Sequence, residues 1–198
     1  MARYVADKWG TPLLTEVARA VMAEEEADIV SIRHDIKRVD AYQKKIFERQ
    51  VSEERKHQAF VADRSFDNLA YACEYTTCFR EILGRKELAE YVESLRLNEA
   101  IIFFIRPSSE TLVDDGVREK TTWDGILRID SYVKFMLEMW GLRYFTIATH
   151  IMQERIRLVE GVLRLVGMDP RLPITDLPDR PDGDPVLPGQ RRETDAET

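Results

Sequence analysis

The sequence is poor in the residues that build thiolate or disulfide chemistry. Cys73 and Cys78 are its only cysteines. They stand five apart on a stretch of helical periodicity and so point in different directions, which argues against a disulfide between them. Two small free thiols suit core positions and a reducing, cytoplasmic compartment. Histidine is equally scarce, with only His34, His57 and His150. No uncharged apolar run approaches the ~20 residues that span a bilayer, so no membrane is expected as a partner. The longest, "AIIFFI" at 100–105, suits only a buried helix segment. The first thirty residues lack the basic-then-apolar pattern of a signal peptide. Basic charge is outweighed to a formal net −7. That argues against nucleic acid as the main partner, because phosphate binding needs a basic surface.

Glycine and proline are sparse as well. After Gly10 and Pro12 neither type occurs until Gly84. What fills the chain instead is apolar residues at helical spacing, with no evident strands and no internal repeat, in a length that suits one domain. Thr11 and Pro12 read as the start of helix A, about 12–37. Lys37 and Arg38 suit a helix C-terminus, and Asp40 with Gln43 matches a capping box. Helix B then spans about 41–63, a hairpin partner of A; one continuous helix is the competing reading. Helix C, about 66–83, stops at Gly84. Helix D follows to about 105 and closes before Pro107. Residues 106–122 form a long loop of the kind that is often functional. Thr122 caps helix E, which runs to Gly167 and can kink at Gly141. The expected fold is all-α: an antiparallel bundle with a four-helix core plus an additional helix, over residues 1–167. Residues 168–198 hold most of the prolines and read as an extended or disordered tail, a tether or a segment that docks a partner.

On helical wheels, acids fall on apolar faces. In helix B, Glu54 and His57 share the face of Ile46, Phe47 and Val51. In helix A, Glu25 lies among Val17, Val21, Ile29 and Ile32, with Asp28 beside it. Glu25 and Glu54 stand at similar distances from the expected hairpin. Helix D places Glu99 on its apolar face. Helix E carries His150 and Glu154 on one edge and Asp130 on the other. Burying a bare carboxylate is costly, so these acids need a basic side chain such as Arg155, a shared proton or a metal ion.

Bundles build di-metal sites from such parts, with a Glu from each of two helices and Glu-x-x-His from the others. "Glu25 … Glu54-Arg-Lys-His57" resembles the first half-site of the ferritin-like superfamily, its rubrerythrin branch most. The resemblance covers helices A and B. It implies a carboxylate-bridged centre of iron or manganese that handles O2 or peroxide, as an oxidase or oxygenase. Glu25, Glu54 and His57 would be ligands, with Asp28, Glu99, His150 and Glu154 as further candidates. The second half departs from the pattern, because His150 and Glu154 have a different spacing. Glu24, Glu25 and Asp28 followed by Glu54 are also similar to MazG-like nucleotide pyrophosphatases that use Mg2+, though His57 stands where those carry Asp. Arg143 and His150 look like the Arg…His pair of HEPN ribonucleases. A non-enzymatic assembly or adaptor protein, as a homo-oligomer or with a protein partner, is the remaining alternative. In that reading Met136, Met139, Trp140 and Phe145 are core or interface residues.

Overall fold

The computed structural model describes residues 1–15, 17–24, 34–97, 100–109 and 122–170. Helices dominate, but they surround two short pairs of parallel strands. The order is α1 (Ala2–Trp9), β1 (Leu13–Leu14), α2 (Val17–Glu24), α3 (Ile36–Glu54), β2 (Val61–Ala62), α4 (Asn68–Tyr75), α5 (Phe79–Leu83), α6 (Lys86–Leu97), β3 (Ile102–Ile105), α7 (Trp123–Met139), β4 (Tyr144–Ile147) and α8 (Met152–Leu165).

Local chemistry sets several of these boundaries. Gly10 ends α1 in the left-handed region, φ 64°, and its N–H donates to the Ala6 carbonyl. Gly10 therefore closes a helix rather than opening one, and Pro12 leads into β1. Asp35 caps α3 by accepting from the N–H groups of Lys37 (2.9 Å) and Arg38 (3.4 Å). The break between the first two long helical stretches thus lies before Ile36. Asp40 sits inside α3 and accepts from the Thr77 N–H at 2.8 Å and from the Thr77 hydroxyl. Gly84 follows α5 as expected, and Thr122 caps α7 by accepting from the Gly125 N–H at 3.1 Å.

The absence of strands is corrected. β1 pairs with β2 in parallel, Leu13 opposite Val61. β3 pairs with β4 in parallel from Ile102 opposite Tyr144 to Ile105 opposite Ile147. Each parallel pair needs a long crossover, and α7 lies within the one between β3 and β4. "IFFI" and "YFTI" are rich in aromatic and β-branched residues, which suits strands. Helices D and E accordingly give way to α6–β3 and α7–β4–α8, and Gly141, at φ 61°, turns the chain between α7 and β4. The described residues are mostly helical but do not by themselves make up the expected four-helix bundle.

The main core gathers Phe47 and Val51 of α3, Leu69 and Ala72 of α4, Ile82, Leu88 and Val92, Phe104, and Met136 and Leu137 of α7. A second cluster joins Val5 and Trp9 of α1 to Ile147, Val159 and Leu163, bordered by Val61 and Phe103. Helix α1 packs on β1 and β2 and so touches both strand pairs. Cys73 and Cys78 are free thiols, Cys78 buried and Cys73 half-buried. Among the described residues no helix is long and apolar enough to cross a membrane. The tail from 171 and most of the long loop, 110–121, lie outside the described residues.

Candidate functional site

The turn that follows β2 gathers a network of polar side chains. Val61 and Asp63 donate their N–H groups to the carbonyls of Pro12 (2.9 Å) and Leu14 (2.8 Å), which carries the β1–β2 pairing to the strand's carboxyl end. Asp63 is exposed there. Arg64 follows at φ 80°, the single non-glycine residue with positive φ among the described residues. Such backbone costs about 1–3 kcal/mol and persists only where its surroundings hold it.

The holding groups are visible. Arg64 Nη1 reaches Asp67 Oδ2 at 3.1 Å, and its guanidinium lies over the Tyr71 ring at 5.9 Å. Its carbonyl accepts from Gln50 Nε2 at 3.4 Å. The next N–H, of Ser65, donates to Asp67 Oδ1 at 2.7 Å. Burial pushes the Asp67 carboxyl up, against the charge of Arg64 and the Ser65 N–H.

Beneath the turn lies Glu54, the last residue of α3 and buried. Its Oε1 accepts from Gln50 Nε2 at 2.6 Å and lies 2.9 Å from Ser65 Oγ. Its Oε2 is 2.8 Å from the Tyr91 hydroxyl, which stands 2.6 Å from Ser65 Oγ. Burial raises the Glu54 carboxyl, opposed by the bonds from Gln50, Tyr91 and Ser65, with the charge of Asp67 raising it further. Burial likewise raises Tyr91 well above its usual range.

A second arginine stands just past β3. The Arg106 N–H extends the ladder to the Ile147 carbonyl at 2.9 Å, and its Nη2 pairs with buried Asp130 at 2.9 Å. Its guanidinium lies 5.5 Å over the Phe104 ring, yet its buried Nε has no acceptor among the described residues. A buried donor without a partner asks for an explanation, such as a ligand or water.

Of the residues expected to hold metal, the described ones are Glu54, His57, His150 and Glu154. Glu54 does turn inward, but α3 ends at it, so His57 lies beyond the helix and half-exposed. The wheel angle that aligned the two has no meaning past the last helical turn. His150 and Glu154 are exposed; His150 precedes α8, and Glu154, in its first turn, accepts from the Thr149 hydroxyl. Arg155 Nε donates to the Thr149 carbonyl at 2.7 Å and is no partner of Glu54. Arg143 and His150 flank β4 at its two ends. Glu25, Asp28 and Glu99 lie outside the described residues. Among the described residues, no group of three or more His, Cys, Asp or Glu could hold a metal ion. Arg64 and Arg106 lie outside the candidate residues read from the sequence. The available signal was an Asp-Arg or Arg-Pro step directly after a short apolar run.

No curated protein and no solved structure matches the chain. A family model does, over residues 1–155, and its description is an AAA domain. That match overturns the ferritin-like resemblance and with it the di-iron oxidase and the iron and oxidoreductase chemistry it implied. The helical wheel correctly turns Glu54 inward. Nothing in the match favours the pyrophosphatase, ribonuclease or adaptor alternatives. Parallel strands joined by helical crossovers suit the family that the match identifies, and since it spans well over half of the sequence, the chain belongs to the AAA domain family.

Proposed function

We propose that this chain binds the phosphate groups of a nucleotide beyond the carboxyl end of β2, with Arg64 as the cation that meets them. Family membership supplies the ligand class, because AAA domains are P-loop NTPase-like. Arg64 supplies the place. In open parallel α/β sheets ligands bind outside the carboxyl ends of strands, and a strained arginine at such an end is a feature that packing alone does not require. A guanidinium suits phosphate because its donors form a planar fork that grips two oxygens. Arg106, at the end of the other strand pair and with a buried donor that finds no acceptor among the described residues, is a further candidate cation.

The 198 residues contain no Gly-x-x-x-x-Gly-Lys-Ser/Thr stretch. The phosphate contacts proposed here are therefore made by arginines, not by a glycine-rich cradle of this sequence. The described residues offer no carboxylate cage for a divalent ion either, so no step is assigned to one.

The test is equilibrium titration of the full chain with ATP, AMP and inorganic tripolyphosphate, followed by calorimetry. Saturable binding of ATP and tripolyphosphate is expected. Arg64→Ala should weaken it about ten- to a hundredfold, the worth of one charge-assisted contact of roughly 1.5–3 kcal/mol. Circular dichroism establishes that the variant is folded. No saturable binding, or equal binding by folded Arg64→Ala, overturns the reading.

A further inference from the structure

The contacts around Glu54 form a closed ring of three oxygen pairs: Glu54 Oε1 to Ser65 Oγ at 2.9 Å, Ser65 Oγ to the Tyr91 hydroxyl at 2.6 Å, and the Tyr91 hydroxyl to Glu54 Oε2 at 2.8 Å. Each pair needs one proton between its oxygens. Ser65 and Tyr91 carry one each, which makes two protons for three contacts. An ionised Glu54 carries none, so one pair would face lone pair to lone pair in a buried place. A neutral Glu54 supplies the third proton and closes the ring in one direction. Glu54 Oε2 donates to Tyr91, Tyr91 to Ser65, and Ser65 to Glu54 Oε1. Gln50 Nε2 has its own proton for Oε1 and completes the inventory.

We infer that Glu54 is a neutral acid in the folded protein and acts as the positioning residue for Arg64. The link is direct. The Gln50 amide that bonds Glu54 also bonds the Arg64 carbonyl, and Ser65 of the ring is the residue that follows Arg64. Tyr91 arrives from α6, so the ring ties the end of α3 and the turn after β2 to a third element. The ionisable groups facing it are Tyr91 from α6 and, from the turn and α4, Asp67 and Arg64, which pair with each other. Asp67 adds negative charge nearby and favours the neutral acid. The functional half of the inference rests on the phosphate-binding reading above; the protonation state does not.

Two experiments on the full chain separate the halves. With 13C-labelled glutamate side chains and Glu54→Gln for assignment, NMR reads the Glu54 carboxyl directly. It should titrate above the ordinary glutamate value of about 4.3, so that it is still neutral where an ordinary glutamate has begun to ionise. Titration at the ordinary value overturns the inference, whatever the protein binds. Tripolyphosphate binding is then followed against pH. Wild-type affinity should fall as pH rises through the Glu54 titration. Glu54→Gln has the donor and acceptor pattern of the neutral acid, so it should bind within about twofold of wild type at low pH and lose that pH-dependent step. A step that persists unchanged in Glu54→Gln removes Glu54 as the positioning residue. If the NMR result holds and no phosphate binds, the ring stands and the function proposed above falls.

Discussion

Trp9 is the residue on which the joining of the two strand pairs can be tested. It is wholly buried at the end of α1, in the cluster with Val5, Ile147, Val159 and Leu163. Its Nε1 is buried with no acceptor among the described residues. Truncation to alanine removes a large ring from a packed site, which costs about 3–5 kcal/mol. That is a large part of the ~5–15 kcal/mol that holds a domain together. At a urea slope of ~2 kcal/mol per molar, the unfolding midpoint should fall by about 2 M. Trp9→Phe is the informative control. It removes part of the ring but also the unpartnered donor, whose burial costs about 1–3 kcal/mol. The two changes oppose each other, so Phe should lie within about 1 kcal/mol of wild type. Urea unfolding followed by circular dichroism measures both variants. A midpoint shift below ~0.5 M for alanine, or equal losses for Phe and Ala, would refute the account of α1 as the buried seam.

Two further outcomes follow from other contacts. Burial opposes the ionisation of Asp40, but the Thr77 hydroxyl and N–H outweigh it and hold the carboxyl below its usual range. A lowered folded pKa adds stability that is present above the unfolded value of about 3.9 and lost as pH falls through the folded one. Asp40→Asn should therefore cost about 1 kcal/mol near neutrality, with the gap to wild type closing in urea melts as pH drops below ~4. Burial raises the Asp130 carboxyl, and Arg106 opposes it together with Lys134. Arg106→Ala strands that acid and should cost about 2 kcal/mol, less than for a fully buried pair because Arg106 is partly in water. The double variant Arg106→Ala/Asp130→Ala should recover much of the loss; strictly additive costs would show that the pair is uncoupled.

The helices were legible where their ends carry chemistry that acts alone. Gly84 and Thr122 mark ends that the structure keeps, because a glycine stop and a hydroxyl cap need no tertiary partner. Asp40 misled because its carboxylate has two suitable uses, capping a helix or reaching across to Thr77, and only the packing of α3 selects the second. The strands were hidden by length. Val61–Ala62 is two residues, and Ile102–Ile105 and Tyr144–Ile147 are four each, so their apolar runs fit a helix face as well as a strand. Their partners lie tens of residues away, and a parallel pair leaves no turn signature between its strands.

The site was legible in its demand and not in its answer. Apolar periodicity turned Glu54 inward, and desolvation then required a cation, a metal ion or a shared proton for it. Sequence favours the first two, because charged residues and histidine are conspicuous. His57 at the third position drew the eye to a ligand pair, although the helix that would align them stops at Glu54. The partners that the structure supplies are Gln50, Ser65 and Tyr91, all uncharged and common, and two of them come from outside the helix. Hydroxyls can satisfy a buried acid only if the proton count closes. That count depends on three distances among four oxygens, which no spacing along the chain contains. The same limit concealed Arg64, since a left-handed arginine looks like any other until the groups that hold it there are placed.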